Sequence, residues 1–184
     1  MPLEVALSAI DISSLVPQVE RLIEDKDRIF IMGCGKAGIT AMAVIRQISP
    51  ESIIYGIDFS EEHIEIARNL GYVDNIQKVD AQNAEAVNDF VTISMDGRGA
   101  DLVLNCVNVP NTETSAILAA RDRGTVVFFS MATKFDQAAL GTDATGKDVT
   151  MIIGNGVAEG QSEKMFNLLR QDLKLRRYFE NLHK

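Results

Sequence analysis

The sequence predicts a doubly wound α/β fold: a mainly parallel six-stranded sheet with helices on both faces. Three observations predict it. Short runs rich in Ile and Val alternate with longer stretches of helical spacing. The runs are almost wholly apolar, as strands covered on both faces must be. The first run opens into a glycine-rich turn and then directly into a helical stretch.

Residues 1–27 are expected to form a connecting helix, because Leu15, Val19, Leu22 and Ile23 fall on one helical face. The six strands are Arg28 to Met32, Ser52 to Asp58, Asn75 to Val79, Asp101 to Cys106, Thr125 to Ser130 and Val149 to Ile153. The helix Ala37 to Ile48 stops before Pro50, which cannot continue it. Ser60 to Leu70 starts at a capping serine, carries Glu61 and Glu62 in its first turn and ends at Gly71. Asn83 to Met95, Thr112 to Arg123 and Glu159 to Arg170 complete the set, with Gly124 closing the second of these as Gly71 closes its own. Residues 28–171 are read as one domain and 172–184 as an amphipathic helical tail.

Composition bounds the function. A chain of 184 residues can bury roughly two thirds of its unfolded surface. The net charge of −8 disfavours nucleic acid as a partner, and Lys174, Arg176 and Arg177 read as a solvated helix face. Cys34 and Cys106 sit in separate strand ends, so no disulfide framework is expected and a reducing cytoplasm fits. No apolar run approaches the ~20 residues that span a bilayer, and no signal peptide opens the chain.

The chemistry sits in Met32-Gly33-Cys34-Gly35-Lys36-Ala37-Gly38, an apolar strand running into G-x-G-x-x-G. Gly33 permits the tight turn, Gly35 lets backbone approach a pyrophosphate, and Gly38 lets the helix pack on the strand. Free N–H groups at the helix start then receive phosphates. Asp58 ends the second strand twenty residues beyond Gly38, where its carboxylate suits the adenosine ribose hydroxyls. Its charge would repel a 2′-phosphate, which favours NAD over NADP. These features are those of a Rossmann domain.

Ligands in such sheets lie at the carboxyl ends of the strands. Expected contacts are therefore the whole turn from Gly33 to Gly38, including Cys34, Lys36 and Ala37, and Asp58 with Phe59. Asp80 and Ala81 should border the adenine. Cys106, Val107 and Asn108, then Ser130 and Met131, then Gly154 and Asn155, should follow the nicotinamide half.

Other patterns mislead. Gly141 to Asp148 resembles a nucleotide P-loop, but Asp148 replaces the hydroxyl residue and a strand follows where a helix is needed. Cys34, Cys106, His63 and His183 are not at metal-ligand spacing, so no metal site is expected, and His63 reads as solvent-facing. There is no Tyr-x-x-x-Lys pair and no G-x-S-x-G elbow. A cofactor site without an acid–base constellation, opening on what reads as a mid-protein helix, suggests one part of a longer enzyme whose catalytic residues are unassigned.

Ile31 to Gly38 together with Gly56-Ile57-Asp58 resembles the cofactor domain of medium-chain, alcohol-dehydrogenase-like oxidoreductases. Ala100 to Pro110, Phe128 to Thr133, Gly146 to Asp148 and Ile153 to Gly156 more particularly resemble the L-erythro-3,5-diaminohexanoate dehydrogenase family of bacterial lysine fermentation. That resemblance spans nearly the whole chain. It implies NAD-linked oxidative deamination of 3,5-diaminohexanoate to 5-amino-3-oxohexanoate, with release of ammonia. It also implies a catalytic domain ahead of the cofactor domain, which this sequence lacks, so no catalytic residue is carried over. The family glycines map to Gly33, Gly35 and Gly38, and the family acid to Asp58. Two rival readings use a similar turn: an S-adenosylmethionine-dependent methyltransferase and a stand-alone NAD-sensing module. Pairing of two chains through the sixth strand would give a homodimer.

Overall fold

The computed structural model describes residues 2–140, 146–154 and 156–182. Strands β1 (Arg28–Met32), β2 (Ile53–Asp58), β3 (Asn75–Lys78), β4 (Ala100–Asn105), β5 (Ala120–Phe128) and β6 (Thr150–Ile153) form one sheet in the order β3-β2-β1-β4-β5-β6. Every neighbouring pair is parallel. The strand order reverses between β1 and β4, which opens a crevice at their carboxyl ends.

Helices cover both faces. On one side lie α1 (Leu3–Ile10), α2 (Leu15–Leu22), α3 (Lys36–Ile48), α4 (Glu61–Leu70), α8 (Gln161–Gln171) and α9 (Leu173–Asn181). On the other lie α5 (Ala84–Ser94), α6 (Glu113–Ala119) and α7 (Phe135–Leu140). The strands divide their side chains by alternation: Ile29 and Ile31 face the first layer, Phe30 and Met32 the second.

Local signals explain many helix ends. Ser60 caps α4 by accepting from His63 N, and Gly71 ends that helix at φ 73°. Asn83 caps α5 through Ala86 N, and Asp172 caps α9 through Lys174 N and Leu175 N.

Three elements differ from expectation. The N-terminal segment is two helices, because the chain turns at Asp11–Ser14 and Ser13 Oγ donates to Ile10 O at 2.8 Å. The helix expected to reach Arg123 ends at Ala119, and the chain continues as β5. Lys147 Nζ donates to the last carbonyls of α6, at 3.2 Å to Ile117 and 2.7 Å to Leu118, and also to Ala120 O. Ala120 then pairs with Ala100, and Gly124 fits closely against Ala100 O instead of capping a helix. The short α7 has no counterpart among the expected elements.

At the amino end of the sheet Asp101 accepts from Arg28 N at 2.7 Å and from Arg121 Nε. Burial alone would raise its carboxyl, but the Arg121 and Arg28 bonds outweigh burial and hold it below the ordinary carboxylate range.

Candidate functional site

β1 ends at Met32, and Gly33 turns the chain at φ +86°. A Cβ there would press within 3.1 Å of Val107 and the Cys106 carbonyl carbon. Gly35 opens α3 in extended conformation. Above it the space is free except for the His63 ring, 3.7 Å from where a Cβ would stand. At Gly38 a Cβ would overlap the Gly33 carbonyl oxygen, so α3 packs on the turn from which it grows. The first-turn N–H groups of α3 have no helical acceptor and point past this bare turn.

Asp58 closes β2 beside that turn. Its Oδ2 accepts from Cys34 N at 2.6 Å and from the His63 ring, with Nδ1 at 3.2 Å, while Oδ1 accepts from Ser60 N at 2.8 Å. A carboxylate offers about four acceptor positions, so one remains for a ligand hydroxyl. The side chain is 11% exposed. Its charge is felt nearby: burial first, and then Asp58, pushes the Cys34 thiol and the Tyr178 hydroxyl up, the latter to about 12.

A cleft of about 510 Å³ lies at this carboxyl end. Gly33 and Gly35 border it below, and Asp58, Phe59 and Ser60 enter from β2. Val79, Asp80, Ala81 and Gln82 enter from β3, and Cys106, Val107, Asn108 and Val109 from β4. Lys78 Nζ stands 5.6 Å over the exposed Phe59 ring. Burial pushes the Cys106 thiol up to about 12.

The remaining expected residues lie elsewhere. Cys34 is buried beneath the turn, with its thiol 3.5 Å from Ile57 O. Ala37 packs against the core. Lys36 reaches away to Asp11, with Nζ–Oδ2 at 2.7 Å. Ser130 is buried and its Oγ accepts from Ala132 N at 3.1 Å, whereas Met131 is 89% exposed. Gly154 is covered by Gln18, whose Nε2 donates to its carbonyl. Asn155, His183 and the 141–145 portion of the P-loop-like stretch lie outside the described residues.

His63 is the site residue that sequence reading placed in solvent. It lines the cleft and bonds Asp58. The signal was available: Ser60 is an N-cap, and a side chain three residues on reaches back toward the cap and the strand end before it.

A second hollow, of about 450 Å³, lies near Arg46, Tyr72, Asp172 and Lys174. Its polar groups are already engaged: Tyr72 donates to Asp172 at 2.6 Å, and Arg46 pairs with Asp74.

The family model described as zinc-binding dehydrogenase matches residues 38–171. The chain belongs to the zinc-binding dehydrogenase family. The chain is 37% identical over 180 residues to the L-erythro-3,5-diaminohexanoate dehydrogenase of Acetoanaerobium sticklandii, covering 97% of this chain and 52% of that protein. It is 34% identical over 185 residues to the enzyme of the same name from Fusobacterium nucleatum, covering 100% of this chain and 54% of that one. The chain thus spans about half the length of the curated relatives it matches. The fold matches the D-arabinose dehydrogenase of Sulfolobus solfataricus with a TM-score of 0.72 at 15% identity, over 95% of this chain and 54% of that one.

A nicotinamide cofactor goes with this family, and the turn fits it: Gly35 leaves the space over the backbone open and Asp58 stands beside it. Zinc finds no place among the described residues. Among the described residues no three His, Cys, Asp or Glu side chains stand together to hold a metal ion. No helix among them is long and apolar enough to cross a membrane.

Proposed function

We propose that this chain is the NAD-binding part of a dehydrogenase that oxidatively deaminates 3,5-diaminohexanoate. The cofactor reading rests on one observation: a carboxylate, Asp58, held beside a glycine turn bare enough for backbone to meet a diphosphate. The turn from Gly33 to Gly38 would hold the diphosphate, and Asp58 the adenosine ribose. Phe59, Asp80 and Ala81 would border the adenine. Cys106, Val107 and Asn108 would lead toward the nicotinamide. A nicotinamide bound there would supply the hydride acceptor. The protein's part is to place it and to exclude a 2′-phosphate through the charge of Asp58, which favours NAD over NADP.

The substrate reading is supported by the names of the relatives. The groups that orient the small-molecule substrate and move its proton would come from sequence beyond this chain, with residues 28–171 as the cofactor domain, 1–27 as connection and 172–184 as tail. Among the described residues no strand covers the outer edge of β6, and two chains joined there would form a homodimer with a continuous sheet. Two free cysteines suit a reducing cytoplasm.

A thermal-shift panel of NAD, NADP, ATP and S-adenosylmethionine tests the cofactor reading. NAD at one hundred times its dissociation constant should add about 2.7 kcal/mol, which raises Tm by roughly 5–10 °C for a chain of this size. Stabilisation by S-adenosylmethionine alone would refute it.

A further inference from the structure

We propose that Lys36 is a diphosphate-responsive cation, held by Asp11 in the free protein and drawn from it when a dinucleotide lies on the glycine turn. The proposal rests on the cofactor reading above and adds a mechanism to it.

The charge around the cleft motivates it. Its described lining includes the carboxylates Asp58 and Asp80 and no Lys or Arg. The whole chain carries a formal charge of −8. A doubly charged diphosphate therefore enters a negative field with only amide dipoles and His63 to meet it. Lys78, at the rim, already has Glu61 3.4 Å away. The turn itself carries a single cation, Lys36, which directly follows Gly35 and opens α3.

That cation is held elsewhere. Lys36 Nζ lies 2.7 Å from Asp11 Oδ2, in the turn between α1 and α2. Asp11 is 68% exposed, so water screens the pair. Such pairs are weak and depend on salt. A diphosphate offers the same ammonium two charges, and the four-carbon stem of lysine lets it move. The exchange leaves Asp11 without its partner and loosens the link between the glycine turn and the N-terminal helices. Cofactor occupancy is thereby reported to the segment that precedes the domain.

Calorimetric titration of the 184-residue chain with NAD, ADP-ribose and adenosine tests the exchange. Asp11→Asn should bind NAD and ADP-ribose about two- to fivefold more tightly, because the competitor is gone. Lys36→Met should bind both roughly tenfold more weakly, and Lys36→Arg should recover most of the loss. Adenosine, which lacks the diphosphate, should bind every variant alike. In the Lys36→Met background Asp11→Asn should have no further effect. All differences should shrink in 1 M salt. The proposal is overturned if Asp11→Asn leaves NAD affinity unchanged or weaker, if its effect survives in the double variant, or if Lys36→Met weakens adenosine as much as NAD. Failure of the unaltered chain to bind any of the three ligands would instead bring down the cofactor reading.

Discussion

Around β1, β2 and β3 the site is set by atoms with little freedom. Gly33 sits at a left-handed φ, Gly38 admits no Cβ, and Asp58 is fixed by three hydrogen bonds. Around β5 and β6 the residues at the strand ends take other roles. Ser130 turns inward to its own loop, Met131 stands in solvent, and Gly154 is sealed under Gln18. On the proposed reading, the first half would hold a nucleotide by backbone shape, which a single domain can complete. The second half offers the far end of a dinucleotide few ready contacts. That asymmetry suits a chain about half the length of its relatives.

The sharpest way to break this contrast is Gly38→Ala. Forcing a methyl into the Gly33 carbonyl should cost about 3 kcal/mol or more, seen as a Tm loss of roughly 6–12 °C with no NAD binding at 25 °C. A variant that melts normally and binds NAD would show that the turn is not rigid. Next is Asp58→Ala, expected to weaken NAD roughly ten- to hundredfold while changing NADP less than about threefold. Equal losses for the two dinucleotides would mean that the carboxylate does not discriminate.

Asp101 provides a control at the amino end of the sheet, far from the cleft. Its carboxyl is held below the ordinary range, so its stabilisation is full above the unfolded pKa and fades as pH falls through the lower folded value. Asp101→Asn should cost about 1 kcal/mol near pH 7 and progressively less in acid, with NAD affinity unchanged. Urea melts at pH 7 and pH 3 would check this; an equal deficit at both would disprove the linkage. His63→Ala should weaken NAD about two- to fivefold, since the ring lines the cleft and orients Asp58. The smallest effect belongs to the second half: Met131→Ser should leave NAD affinity within about twofold. A larger loss would show that this loop contacts the dinucleotide after all.

Sequence reading succeeded where the constraint was local. Gly33 is demanded by its left-handed φ and Gly38 by its approach to the Gly33 carbonyl, both local backbone constraints, and Ser60 and Gly71 by helix ends. The apolar alternation gave six strands to within a residue or two, except β5. It failed where partners are distant. Nothing near Ala119 announces that α6 ends there, because the terminating groups are Lys147, almost thirty residues on, and Ala100 in the next strand. The pairing of Lys36 with Asp11, twenty-five residues before it, was equally illegible, because only the turn between α1 and α2 brings the two together. His63 was missed for a different reason: its position in the first turn of α4 was read as exposure, and the reach of that position back to the strand was not weighed.

The clasp between Gln18 and Gly154 joins residues 136 positions apart. During synthesis at ~5–20 residues per second, α2 leaves the ribosome roughly 7 to 27 s before its partner is made. Its flank against α8 stays uncovered for all of that time. α2 can seat against α3 soon after synthesis, but its flank toward α8 waits, and in a crowded polysome the α8 of a neighbouring nascent chain could reach that flank first.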